Sequence, residues 1–405
     1  MPGAIAAGSS LTIVDALIFD GHSPDLVEGG IRIVDGVIVE CGPGVAGGDT
    51  VISAGGRVVT PGFIDNHMHA YGISLNMMQM EASPRSYVAL KGARRLGAVL
   101  RRGFTTVRDV AGGDIGLRMA VEQGLIQSPH YYYTGPALSQ TGGHGDPRDA
   151  QLNVCCCEGH GVEVVDGCEN LRVAVRERLR TGAHAIKIMA SGGVVSLTDP
   201  LRIPQYSPEE IRTVADEAAR RGSYVAAHAY SPEAIIHGVE NGVRSIEHGN
   251  LLDAESAAVM KKHGAVLVPT LVTYYAMAEH GKSLGMVPVA LEKNAQVLDS
   301  GKRAVELAMQ TGVPVGFGSD LMGDLEYLQL EGLALQHEVQ GTLELLRSLT
   351  SRNAEILGSD RHGRIELGRL GDVLLLDGNP FEDPSVLWTD RGARQVVKAG
   401  AIVAE

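Results

Sequence analysis

The chain has 405 residues, enough for one large domain with a smaller companion and a sizeable buried core. Hydrophobic residues make up 44% and charged residues 20%, an ordinary globular balance that excludes a disordered majority. A formal net charge of -13 repels phosphate backbones, and 5 Phe with 1 Trp offer few stacking platforms, so nucleic acid is excluded as a partner.

In chain order, residues 1–10 lack a basic region leading into an apolar stretch, and no run of about 20 apolar residues follows anywhere. Neither a membrane partner nor an export signal is expected, and a cytoplasmic address follows. Residues 11–39 hold short alternating runs broken by Asp35-Gly36, a hairpin turn. From Ser53 onward, eight β-branched runs alternate with helical stretches: 58–69, 105–110, 130–135, 185–190, 224–229, 245–249, 266–271 and 314–320. Helical periodicity marks 173–181, 208–221, 254–263 and 294–311. Ser207-Pro208-Glu209-Glu210 and Ser231-Pro232-Glu233 read as helix starts, with serine as N-cap and proline in the first helical position.

Residues 135–165 make a long loop of the kind that shapes a site. Within it Cys155, Cys156 and Cys157 are adjacent, which suits reduced thiols. A small zinc site with His160 is disfavoured, because structural zinc motifs space their cysteines by two to four residues. Residues 372–377 and 395–403 return to the character of the first strands. The expected fold is α/β: a (β/α)8 TIM barrel over 59–359, with a small β-sandwich domain built from both termini, 1–58 and 360–405.

In Asp65-Asn66-His67-Met68-His69 the two histidines project from one face of the first strand's end. Chance alone predicts about 0.5 such pairs among 14 histidines, so the pair by itself is weak. Its place at a strand's carboxyl end raises it, because barrel active sites form there. Lys187 lies in the fourth strand, while His228, His248 and Asp320 end the fifth, sixth and eighth. Singly, each has an ordinary reading as a core histidine or a helix cap. Together they set four imidazoles, an aspartate and a lysine around one ring.

Pro61-Gly62-Phe63-Ile64-Asp65 running into His67 and His69 resembles the first-strand signature of the amidohydrolase superfamily. Ser139 to Asp146, Lys187 to Gly193, His228-Ala229-Tyr230 and Glu247-His248-Gly249-Asn250 resemble its prolidase-like branch of Xaa-Pro dipeptidases and carboxypeptidases, ochratoxin amidases and phenylurea hydrolases. The resemblance implies two divalent metal ions, zinc by expectation: His67, His69 and Asp320 on one, His228 and His248 on the other, and an N6-carboxylated Lys187 bridging them. It further implies hydrolysis of an amide-type C–N bond by a metal-bridging hydroxide, with Asp320 as general base and then acid. His144 and Tyr230 become candidates to hold the oxyanion or orient the substrate, and Gly193 to admit it closely.

Small-molecule substrates are expected, from dipeptides and N-acyl amino acids to aryl amides, ureas and carbamates, and so is a homo-oligomer. Arg148 and Arg202 are the loop candidates for a carboxylate clamp, and Tyr274 with Tyr275 for a partly apolar wall. Several dipeptidase-like relatives carry a histidine after the strand-eight aspartate, where this chain has Glu326. Two other classes compete. A Schiff-base lyase would use Lys187 but needs no histidine ring, and a non-catalytic binding protein of the same fold would not need every ligand position filled.

Overall fold

The computed structural model of the chain describes residues 10–149, 151, 159–389 and 394–403. It opens with β1 (Ser10–Ile18), β2 (Val27–Val34), β3 (Val37–Gly42), β4 (Thr50–Ser53) and β5 (Val58–Pro61). Asp35 and Gly36, both at positive φ, make the tight turn of the β2–β3 hairpin where the sequence places it.

A parallel series follows. β6 (Phe63–Met68), β7 (Phe104–Asp109) and β8 (His130–Tyr133) pair as one sheet. β9 (Ala137–Ser139), β10 (Val162–Val164), β11 (Ile186–Met189), β12 (Val225–Ala229), β13 (Ser245–His248) and β14 (Val266–Val268) form a second, in the order β10-β9-β11-β12-β13-β14. Every residue of β6, β7, β11, β12 and β13 is buried, as parallel strands covered on both faces require. The chain ends with β15 (Val373–Leu376), β16 (Arg394–Lys398) and β17 (Ala401–Ile402).

Helices connect the parallel strands. Ser207 and Glu210 form a reciprocal capping box at the start of Pro208–Ala219, and the Ser231 hydroxyl accepts from Ala234 N at the start of Pro232–Glu240. The helix expected over 294–311 is two, Pro288–Leu298 and Ser300–Thr311, the first led by a proline in its first turn.

Two strand expectations change. The first barrel strand, expected over 58–69, divides at Gly62: β5 joins the terminal sheet, and only β6 enters the parallel series. A Cβ on Gly62 would lie 2.1 Å from Thr105 Oγ1, so only glycine lets the chain turn here. The segment 314–320 is no regular strand. It makes one bridge, Val315 to Leu267, and its backbone also bonds β6 through Asn66 N to Phe317 O (3.0 Å) and Asp320 N to His67 O (2.7 Å). Side chains take the N–H groups a ladder would use, Phe317 N donating to Asn353 Oδ1 and Ser319 N to Asp65 Oδ1. The terminal strands pair continuously in the order β17-β16-β15-β5-β1-β2-β3, and residues of β1, β2, β3, β5, β15 and β16 share one buried core. A bulge between Ile13 and Ala16 lets the first half of β1 pair with β4 and the second with β5, so the sheet branches there.

Candidate metal centre

Alternation along β6 sends Asp65, His67 and, one residue past its end, His69 to the same side. β11 presents Lys187 and β12 presents His228. On β13 the inward positions are Ser245 and Glu247, so regular backbone would turn His248 away. A φ of 76° at His248 re-aims it, and a φ of 52° does the same for Asp320 after the inward Ser319. Non-glycine residues rarely adopt this region, and a fold that holds two of them beside one cavity is holding side chains in place.

The six candidate ligands, with His144 and Tyr230, line one cavity of about 90 Å³. His67, His248 and Asp320 offer ligand atoms that all lie within 4.8 Å of one another. His69 Nε2 is 2.8 Å from Asp320 Oδ1, and His67 Nε2 is 3.5 Å from the same oxygen. The His228 ring centroid lies 4.6 Å from that of His248. Lys187 is buried among them and makes no hydrogen bond to any described residue.

Burial drives the electrostatics. It pushes the imidazoles of His67, His228 and His248 well below their ordinary range, toward the neutral form that ligates cations. It also lowers the Lys187 amine to about 8, against the pull of Glu247 and Asp320. Burial raises the Asp320 carboxyl, but His67, His69 and Lys187 outweigh it and hold the group ionised. Neutral imidazoles, an ionised carboxylate and a lysine amine without a partner fit a cation site better than a set of paired core groups, because an unpaired buried amine is costly unless something else satisfies it.

Around the ring stand groups that sequence reasoning missed. Glu247 Oε2 is 2.7 Å from His67 Nδ1, and its other oxygen accepts from Arg108 (2.7 Å) and Ser245 Oγ (2.6 Å). His248 Nδ1 lies 2.8 Å from Thr270 Oγ1, Thr270 itself having a φ of 47°. Asp65 accepts from His67 N, Ser319 N, Ser319 Oγ and Gln329 Nε2, tying β6 to segment 314–320. Such partners fix a ligand's ring orientation. The signal available was Glu247, which precedes His248 and shares the inward side of its strand with Ser245.

His144 stacks on His228 with ring centroids 4.2 Å apart, and its Nδ1 is 2.8 Å from Ser196 Oγ. Gly193 differs from expectation: a Cβ there would lie 2.0 Å from the His144 ring, so the glycine makes room for His144 rather than for substrate. Its carbonyl already accepts from Lys293 Nζ (3.1 Å). Tyr274 donates to the Tyr230 hydroxyl at 3.1 Å, but Tyr275 lies outside the cavity with Lys302 over its ring. Neither loop arginine lines the cavity: Arg148 binds Asp146 and Arg202 pairs with Glu233. Glu326 sits 3.8 Å from Arg95, and Met322 lines the cavity in its place. His160 is held by Ser83 and Glu81, while Cys155, Cys156 and Cys157 lie outside the described residues.

Parallel strands alternating with helices, with imidazoles, a carboxylate and a lysine gathered at their carboxyl ends, are the arrangement in which barrel enzymes keep their catalytic groups. The chain belongs to the amidohydrolase family, whose profile matches residues 58–403. An ochratoxinase from Aspergillus niger is 32% identical over 369 residues, covering 85% of this chain and 75% of the relative. A prolidase crystallised with N-methylphosphonate-L-proline is 42% identical with a TM-score of 0.94, over 97% of this chain and 99% of that one. A Xaa-Pro dipeptidase with methionine bound in its active site is 28% identical with a TM-score of 0.88, over 97% and 99%. The protein is a hydrolase acting on carbon–nitrogen bonds. Among the described residues no helix is long and apolar enough to cross a membrane.

Proposed function

We propose that the protein hydrolyses the amide bond of a dipeptide or N-acyl amino acid with an apolar acyl side, using two divalent cations held by His67, His69, Lys187, His228, His248 and Asp320 at the mouth of a closed (β/α)8 barrel. The barrel reading is supported by the backbone bonds that join segment 314–320 to both β6 and β14. When bound, the ions would activate a water between them and polarise the substrate carbonyl. Lys187 would take part as a carbamate: its neutral amine, favoured by burial, would add carbon dioxide and release a proton to solvent, leaving an anionic carboxylate whose oxygens could hold the cations.

Asp320 receives the proton of the attacking water and delivers it to the departing nitrogen, since amines leave poorly unprotonated. His144 and Tyr230 line the same cavity, which supports a role for them in hydrogen-bonding the carbonyl oxygen as charge gathers on it. Met77, Met80, Val195, Met277 and Met322 surround the remaining space and suit an apolar group of variable shape.

The observation that carries this reading is Lys187, buried without a hydrogen-bond partner inside a ring of imidazoles. A screen of the zinc-loaded protein against Xaa-Pro dipeptides, N-acyl amino acids and aryl ureas, scored by released amine, tests it. Cleavage of the first two classes that disappears in Lys187→Ala is expected. Full activity of that variant, or no C–N cleavage in any class with metal bound, overturns it. A second reading, a neutral aryl amide, urea or carbamate as substrate, draws support from one fact: among the described residues no arginine lines the cavity to clamp a carboxylate.

A further inference from the structure

A second and wider hollow opens at the amino ends of the parallel strands. It measures about 680 Å³, the size of a small-molecule site. Its walls come from the start of β8 and from the turns that lead into β11, β12 and β13, with the end of the helix Ser351–Leu357 beside them. In a chain of net charge -13 its charge is inverted: Arg118, Arg221, Arg244 and Lys398 line it against one carboxylate, Glu122.

These cations keep donors free. Arg118 binds Glu122 and the Gly182 carbonyl, Arg244 binds the Glu355 carbonyl, and Lys398 binds the Ser128 carbonyl, each using one or two of its N–H groups. Among the described residues the exposed Arg221 guanidinium has no hydrogen-bond or ion-pair partner. Tyr224 forms part of the floor. The Arg244 guanidinium stacks 4.7 Å from its ring centroid, which fixes that fork in place. A concave wall of one sign focuses field and concentrates counter-ions.

We propose that this hollow is a binding site for a small anion carrying two or more negative charges, separate from the metal centre. Phosphate and carboxylate groups both match guanidinium forks, and the choice between them is left to the probes.

The test is isothermal titration of the metal-loaded, full-length protein with pyrophosphate and, separately, with citrate at low ionic strength. One saturable site per chain is expected, the tighter probe identifying the preferred group. Arg221→Glu, a change at an exposed side chain, weakens binding tenfold or more. Glu122→Gln removes the one opposing carboxylate, frees Arg118 and strengthens binding several-fold, a gain that damage to the fold does not produce. Binding unchanged in both variants would mean that the probes are captured by the metal centre, and it overturns the site, as does the absence of saturable binding.

Discussion

At the carboxyl ends of the parallel strands, six candidate ligands converge on a cavity of about 90 Å³, whereas at the amino ends four cations surround one of about 680 Å³. The first is built from residues whose backbone is forced, His248 and Asp320 at positive φ, and whose side chains are locked by buried partners. The second is built from long, partly exposed side chains on ordinary backbone: Arg118 on a helix, Lys398 at a strand end, and Arg221 and Arg244 on the connections before β12 and β13. Chemistry needs the former, because reacting groups must be held to fractions of an ångström. Capture of a diffusing anion needs only the latter.

The largest effects should fall on the narrow end alone. Asp320→Asn removes the proposed proton carrier and should lower kcat by about 10²–10⁴-fold. Lys187→Ala should do at least as much, since it deletes the proposed bridge, and steady-state assays with metal analysis of each variant check both. Anion binding at the wide end should be untouched by either change. If both activities fall together, the two ends are not independent.

What lies between them is the buried Arg108. It donates to Glu247, to the Asn66 carbonyl and to the Tyr224 hydroxyl, so one side chain touches the His67 partner above and the floor of the wide hollow below. Arg108→Met strands the Glu247 carboxylate in the interior and should cost about 3–5 kcal/mol in urea denaturation. Adding Glu247→Gln should recover part of that loss while lowering metal retention by about 10–100-fold, because His67 loses the group that orients it. A double variant no more stable than Arg108→Met alone would show that the pair is not the dominant interaction.

The positions of the ring residues were legible in the sequence because strand ends and glycine turns announce themselves: His67, His69, Lys187, His228, His248 and Asp320 all line the same cavity. What supports them was not. Glu247 and Arg108 are 139 residues apart, and no local pattern couples them. The positive φ of His248 and Asp320 is likewise invisible, since it is imposed by packing rather than by propensity. Val58 to His69 read as one strand because its β-forming residues flank Pro61-Gly62 closely on both sides, and the Thr105 side chain, pressed against Gly62, shows why it must divide. Arg118, Arg221, Arg244 and Lys398 carried no signal either. They are scattered over 281 residues of charge-mixed sequence, and only the topology gathers them.

The wide end also carries a pH signature. His184 lines the hollow and sits 2.7 Å, through Nε2, from the Leu357 carbonyl; burial holds its pKa at about 4, below the ordinary 6.5. Between those values the unfolded chain binds a proton that the folded chain refuses. Stability from this group is therefore complete above pH 6.5 and declines as pH falls toward 4. Urea midpoints taken across that window should slope more steeply in the parent than in His184→Gln. Equal slopes would place the acid sensitivity elsewhere.

The smallest expected effect probes how far the narrow end depends on its helices. Ser231 follows Tyr230, accepts from Ala234 N at 3.3 Å and donates to the Arg202 carbonyl at 3.1 Å. Ser231→Ala should cost about 1 kcal/mol of stability, the ordinary worth of a serine N-cap. Tyr230 is held independently, through its ring packing on His228 and the hydrogen bond from Tyr274, so KM and kcat should stay within about twofold of the parent, a change of under about 0.5 kcal/mol. A larger fall in kcat would mean that the cap positions Tyr230, and that the precision of the narrow end extends from its strand ends into the helices behind them.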